Sequence, residues 1–182
     1  MHKLTVLEMS RLTPEEFRRA EKTPLVVVLD NVRSMHNVGS VLRTADGFRI
    51  QGVCLCGITG CPPHPDIHKT ALGAEDSVEW RYYASTKECI DKLKEQGFAV
   101  VSVEQVEGSV NMLEWNEHRP TAVVLGNEVK GVAQDVVDQS DYCLEIPQYG
   151  TKHSFNVSCT AAMVMWELPT YALPRSNTNI HS

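Results

Sequence analysis

Short Val/Leu/Ile runs alternate along this chain with stretches whose apolar side chains recur every three or four positions. Leu25–Leu29 is a continuous Val/Leu run, the pattern of a parallel strand buried on both faces. Further strands are predicted at Gly52–Ile58, Val78–Tyr83, Phe98–Val103, Thr121–Leu125 and Tyr142–Ile146. Helices are predicted over 13–22, from Asn37 as N-cap through Phe48, over His68–Ala74, from Ser85 to a stop at Gly97, over Ala133–Gln139, and over Ser154–Leu168, the last being the longest. Thr13 with Glu16 and Ser85 with Glu88 have the spacing of capping boxes, and Pro14 suits the first helical position. The segment 60–66 holds three prolines and must be a loop. Residues 104–120 read as loop with one apolar turn near Met112–Trp115. Strand and helix alternate throughout, which calls for an α/β fold: a mostly parallel sheet flanked by helices. With no repeat and no linker, the expected organisation is a short N-terminal extension (1–24), one domain (25–168) and a C-terminal tail (169–182) that is expected to be partly disordered.

Three polar, Gly-containing segments interrupt this pattern where strands end. They are Asn37-Val-Gly-Ser-Val-Leu-Arg43, Leu125-Gly-Asn-Glu-Val-Lys-Gly131, and the stretch from Ile146-Pro-Gln148 through Ser154-Phe-Asn-Val-Ser158. In parallel sheets, ligands bind beyond the carboxyl ends of the strands, and all three segments fall there. The glycine fingerprints of dinucleotide folds and P-loops are missing, as is a nucleophile elbow.

Composition narrows the class. The 182 residues are 42% apolar and 22% charged, an ordinary globular balance with room for one core. The apolar runs are too short to cross a bilayer, so no membrane partner is expected. The first residues lack the apolar region of a signal peptide, which predicts a cytoplasmic protein with reduced thiols. Cys54, Cys56, Cys61, His64 and His68 form a soft-ligand cluster without the paired C-x-x-C spacing of common zinc sites, so no metal is expected. The formal net charge is -6, which speaks against whole-surface affinity for nucleic acid. Residues 1–50 nevertheless hold eight Lys or Arg against six acids, while the remainder holds nine against seventeen.

The three segments together resemble the motifs of the SpoU (TrmH) family of RNA 2′-O-ribose methyltransferases in the SPOUT superfamily. Leu29-Asp-Asn-Val-Arg33 with Asn37–Asp46 is similar to the first motif. Leu125-Gly-Asn-Glu128 with Gly131 is similar to the second. Ile146-Pro, Gly150 and Ser154–Ser158 are similar to the third, and Lys69-Thr-Ala-Leu-Gly-Ala-Glu75 is also family-like. The likeness spans roughly residues 24–168.

That resemblance implies a C-terminal trefoil knot, S-adenosylmethionine as methyl donor, a homodimer and an RNA substrate. It places the cofactor among Glu104, Leu125, Gly126, Asn127, Gly131, Ile146, Gln148, Ser154, Phe155 and Asn156, with backbone groups of Gly126, Ile146 and Phe155 meeting adenine and ribose. The implied catalytic set is Arg43, Asn37, Glu128, Ser154 and Asn156. Arg43 matches the family's essential arginine. A guanidinium is effectively never deprotonated, so an electrostatic role suits it better than that of a base. Asn37 would orient Arg43 or the ribose, and Glu128 would fix Asn37, Arg43 or the substrate. Ser154 and Asn156 would hold the cofactor or a target phosphate at the start of the last helix. The expected reaction is methylation of a ribose 2′-hydroxyl in structured RNA, with tRNA favoured. The alternatives are rRNA 2′-O-methylation, methylation of a base, and a non-catalytic RNA- or cofactor-binding module. Two copies of residues 11–49 could assemble a basic groove.

Overall fold

The computed structural model describes residues 2–5 and 8–168; the expectation for the tail 169–182 lies outside the described residues. Seven strands, β1 (Thr23–Asp30), β2 (Ile50–Cys56), β3 (Trp80–Tyr83), β4 (Ala99–Val103), β5 (Val110–Asn111), β6 (Thr121–Leu125) and β7 (Tyr142–Glu145), form one sheet. Its order is β3-β2-β1-β6-β4-β7-β5, and every pairing is parallel. All the strand carboxyl ends therefore share one edge. The chain leaves β4, forms β5 at the far edge, crosses back to β6 and then inserts β7 between β4 and β5.

The helices are α1 (Pro14–Arg19), α2 (Met35–Gly47), α3 (Pro65–Ala71), α4 (Ala74–Ser77), α5 (Thr86–Glu95), α6 (Gln134–Val137) and α7 (Val157–Glu167). Alternation along β1 shows how they are sorted. Leu25, Val27 and Leu29 point into a core with Val38, Val41 and Leu42 of α2, Ile67 of α3 and Ala161, Val164 and Met165 of α7. Val26 and Val28 point into a second core with Cys89, Ile90 and Leu93 of α5 and Val136 of α6. A period of two in the strand thus feeds both faces, which explains the unbroken Val/Leu run.

Several boundaries differ from the sequence expectation. Ser34, not Asn37, caps α2, its hydroxyl accepting from the Asn37 N–H. α7 starts at Val157 rather than Ser154, and at 11 residues it is shorter than the 13-residue α2. The capping box at Thr13 forms in both directions. At Ser85 only the hydroxyl half is made, because the Glu88 carboxylate holds Lys92 at 2.6 Å instead. The stretch 104–120 contains β5 and a 3₁₀ turn (Met112–Glu114). Cys54 and Cys56 are buried in β2 beside Cys89, away from His64, which caps α3 through Nδ1, and from His68, which pairs with Glu75. Hydrogen bonding with Cys54 and Cys56, together with burial, pushes the Cys89 thiol well above the ordinary range.

Candidate active site

The carboxyl ends of β6, β4 and β7 meet the loops 125–132 and 146–156 around one cavity of about 690 Å³. That is within the range of roughly 300–1,000 Å³ usual for small-molecule sites. Sequence order explains the convergence. β1 lies beside β6 with Leu29 opposite Leu125, so the first and second motifs leave the sheet side by side. β4 lies beside β7 with Val103 opposite Leu144, so Glu104 and the third motif do the same.

The second motif is folded back on itself. The Asn127 N–H donates to the Gly131 carbonyl at 3.0 Å and the Gly131 N–H to the Asn127 carbonyl at 2.9 Å. Gly131 has φ +70°, a left-handed value that favours glycine. A Cβ at Gly126 would overlap the Gly131 carbonyl carbon and the Val132 nitrogen, so the loop closes only because residue 126 lacks a side chain. The side chains complete the fold of the loop. Asn127 Oδ1 accepts from the N–H groups of Val129 and Lys130, and its Nδ2 donates to the Asn31 carbonyl at 2.7 Å. Glu104 Oε2 accepts from the Val132 N–H at 3.0 Å, tying β4 to the same loop.

Glu128 joins the second motif to the first. Its carboxylate accepts from the N–H groups of Arg33 and Ser34 and from Asn37 Nδ2, each at 3.0 Å. The negative charge therefore sits at the positive end of α2. Desolvation raises the Glu128 carboxyl, but the two backbone donors and the Asn37 amide outweigh it and hold the pKa below the usual carboxylate value. Asn37 Oδ1 in turn accepts from Asn156 Nδ2 at 3.2 Å. Asn156 caps α7, its Oδ1 taking the Ser158 N–H at 2.9 Å. Glu128, Asn37 and Asn156 thus form one hydrogen-bonded line through all three motifs.

All ten residues expected at the cofactor line the cavity: Glu104, Leu125, Gly126, Asn127, Gly131, Ile146, Gln148, Ser154, Phe155 and Asn156. Of the expected catalytic set, Glu128, Ser154 and Asn156 line it as well, and Asn37 reaches it through its two hydrogen bonds. Arg43 does not line the cavity. It lies exposed on α2, and among the described residues its side chain has no hydrogen-bond or ion-pair partner. Glu128 therefore fixes Asn37 rather than Arg43. His153, which is outside the expected set, also lines the cavity.

Sequence reasoning missed Asp30. This carboxylate is 2% exposed, yet it accepts from Thr86 Oγ1 at 2.6 Å, Asn31 Nδ2 at 2.8 Å and the Ala133 N–H at 2.9 Å. It binds the ends of β1, the start of α5 and the loop before α6. A carboxylate closing an otherwise apolar strand was the available signal.

The family model described as the SpoU rRNA methylase family matches residues 24–166. The chain belongs to that family. Among curated SpoU relatives, a tRNA (guanosine(18)-2′-O)-methyltransferase of Thermus thermophilus is 32% identical over 160 residues, covering 88% of this chain and 81% of the relative. A putative TrmH family tRNA/rRNA methyltransferase of Staphylococcus haemolyticus is 32% identical over 143 residues, covering 79% of this chain and 57% of the relative. The SpoU fold is also that of the AdoMet-bound rRNA methyltransferase of Sinorhizobium meliloti, with TM-score 0.75 and 26% identity over 86% of this chain and 60% of that one. The chain thus spans less than two thirds of two of these three relatives. Among the described residues, no helix is long and apolar enough to cross a membrane.

Proposed function

We propose that this SpoU chain transfers a methyl group from S-adenosylmethionine to a ribose 2′-hydroxyl of structured RNA, with tRNA the favoured substrate. The observation that carries this reading is the line Glu128–Asn37–Asn156, which ties three motifs far apart in sequence into one polar edge beside the cavity. The tRNA preference draws support from the relative named for guanosine 18 2′-O-methylation, which this chain matches over most of both lengths. A second reading, rRNA methylation, is favoured by the names of the family and of the Sinorhizobium neighbour.

The cavity fits the donor. Its wall combines apolar Leu125, Val132, Leu144 and Ile146 with acidic Glu104, Glu128 and Glu145. Apolar surface suits an adenine ring, and a surplus of carboxylates suits a cationic sulfonium. Gly126 and Gly131 line the cavity without side chains, the loop's own backbone and the Glu104 carboxylate filling the space a Cβ would take at each. When bound, the donor supplies a methyl group already activated by positive charge.

The residues of the chain then have two tasks. One is alignment: holding both reactants in near-attack geometry can supply about 7–11 kcal/mol in favourable cases. Asn37, locked between Glu128 and Asn156, is placed to orient the ribose, and Ser154 of the third motif lines the cavity. The other is charge: Arg43, without a hydrogen-bond or ion-pair partner among the described residues, grips a phosphate or steadies the developing alkoxide. A nearby RNA phosphate serves as the proton relay.

The insertion of β7 between β4 and β5 supports the C-terminal trefoil knot that the family implies. A homodimer acting in the cytoplasm completes the proposal, two copies of residues 11–49 supplying a basic groove. The test is transfer of labelled methyl from S-adenosylmethionine to unmodified tRNA and rRNA, followed by mapping of 2′-O-methyl positions. Thermal stabilisation by S-adenosylmethionine without transfer to any RNA would leave only a cofactor-binding module.

A further inference from the structure

We propose that Cys54 is a modification site for hydroperoxides, reached from solvent through a small recess, and that Cys89 captures the oxidised sulfur as a disulfide. The site lies on the sheet face covered by α5 and α6, opposite α2 and α7, and is independent of methyl transfer.

The fold gathers three thiols at one place. Cys54 and Cys56 are two positions apart in β2, so they point to the same face of the sheet. That face is the second core, where both join Cys89 of α5. The Cys89 thiol hydrogen-bonds with each of them.

Of the three, Cys54 is the one that opens outward. It is 6% exposed, against 0% for Cys56 and Cys89, and it lines a recess of about 110 Å³. A water needs roughly 10–15 Å³ of such space, so hydrogen peroxide fits. Leu93 of α5 lines the same recess, and Cys89 stands one turn before Leu93. The helix that carries the second thiol therefore also walls the approach to the first.

The recess suits an anionic sulfur. In the pairing of β2 with β3, Arg81 stands opposite Cys54. Neighbouring strands lie about 5 Å apart, and Arg81 lines the recess with Cys54. Glu79, which also lines it, pairs with Arg81 at 2.6 Å. The hydrogen bond from Cys89 and the charge of Arg81 hold the Cys54 thiol below its ordinary value, against burial and Glu79. Cys89 is pushed the other way by the same hydrogen bonding, so it keeps its proton. The thiolate is the nucleophile, and a thiolate beside a cation at an accessible position is the reactive kind.

The chemistry balances in two steps. The Cys54 thiolate attacks one oxygen of the hydroperoxide; an S–O bond forms, the O–O bond breaks, and the displaced alkoxide or hydroxide takes a proton from solvent. Cys54 is oxidised to a sulfenic acid, and the peroxide is reduced to an alcohol or water. The Cys89 sulfur then attacks the Cys54 sulfur. An S–S bond replaces the S–O bond, and the hydroxide leaves as water with the proton of Cys89. A thiol reductant reverses the disulfide.

The test uses the full chain carrying Cys159→Ser, because Cys159 is exposed and offers cross-links between copies. The folded protein is treated with a few equivalents of hydrogen peroxide and read by intact mass and peptide mapping. The expected product has lost two hydrogens, contains a linked Cys54–Cys89 peptide pair and returns to the starting mass with dithiothreitol. Cys89→Ser should stop at a sulfenic acid that dimedone traps on Cys54. Arg81→Gln should slow the loss of the Cys54 thiol by about threefold. The first measurement leaves both thiols in place, so it decides the matter even if Cys89→Ser fails to fold. An unmodified Cys54 at peroxide doses that oxidise Cys159 in the parent overturns the proposal. So does a product that forms only after urea unfolds the chain, which would make the three thiols core packing. A link from Cys54 to Cys56, or dimedone on Cys56 or Cys61 in place of Cys54, equally overturns it.

Discussion

The side-chain amide of Asn37 donates to the Glu128 carboxylate at 3.0 Å, joining residues 91 positions apart and holding the first motif against the second. The same carboxylate accepts from the backbone of Arg33 and Ser34, so it positions the start of α2 as well as one amide. Glu128→Ala should lower methyl transfer by about 10²-fold, comparable to losing one well-placed polar group in an active site. Glu128→Gln keeps an acceptor oxygen and should fall between that variant and the parent. Steady-state rates with labelled donor read both; a parent-like rate in Glu128→Ala would show that Asn37 needs no such anchor.

The depressed Glu128 pKa gives this anchor a pH dependence. The folded value lies below the ordinary glutamate value of 4.5. The contribution of the carboxylate is therefore complete above about 4.5 and is lost as pH falls through the lower, folded value. Thermal midpoints measured between pH 6 and 3 should drop more steeply for the parent than for Glu128→Gln. Parallel curves would show that another acid controls that window.

The strands were legible because burial on both faces leaves an unbroken apolar run: Thr121–Leu125 coincides with β6. β5 was not, since Val110–Asn111 is too short for any period and exists only because β7 lies alongside it. The starts of α2 and α7 were misplaced for one reason. Asn37 and Ser154 have the composition of caps, but Asn37 bonds Glu128 and Asn156, and Ser154 precedes the true cap in the cavity wall. Those partners lie about a hundred residues away, where local propensity carries no information. Asp30 escaped notice likewise, because two of its three donors, Thr86 and Ala133, lie 56 and 103 positions away. The motif residues themselves were readable as a set, since a resemblance carries order and spacing that periodicity lacks.

Gly126 and Gly131 should not tolerate alanine equally. At Gly131 the left-handed backbone and the Glu104 carboxylate oppose a Cβ, but that carboxylate can move. At Gly126 the obstacle is the backbone of Gly131 and Val132. Gly131→Ala should weaken S-adenosylmethionine binding by about tenfold, from strain of about 1–2 kcal/mol. Gly126→Ala should weaken it further. Gly47→Ala, with nothing near its Cβ, should leave binding unchanged. Titration calorimetry gives the ranking, and equal affinities at 126 and 47 would refute it.

Asp30→Asn removes a buried charge but keeps the shape. One of its two faces must then present N–H₂ either to Ala133 N–H or to the Thr86 side. A mismatched buried donor costs about 1–3 kcal/mol. The denaturation midpoint should fall accordingly, and cofactor affinity should fall with it because the loop before α6 loses its anchor. Unchanged stability would mean that neighbouring groups rotate to satisfy the amide.

Arg43 separates chemistry from architecture most cleanly. Its side chain is exposed and has no internal partner among the described residues, so Arg43→Ala should leave the unfolding free energy within about 0.5 kcal/mol of the parent. Because Arg43 does not line the cavity, S-adenosylmethionine affinity should also hold. Methyl transfer should nevertheless fall by about 10²–10³-fold, the loss expected when one electrostatic contact to the reacting group disappears. Arg43→Lys keeps the charge without the planar fork, so it should recover part of the rate if charge on the alkoxide dominates, and little if a bidentate phosphate grip does. Single-turnover transfer at saturating donor and RNA reads the step directly. Near-normal turnover in Arg43→Ala with intact cofactor binding would remove Arg43 from the mechanism and leave the Asn37 line to do the positioning without a cation.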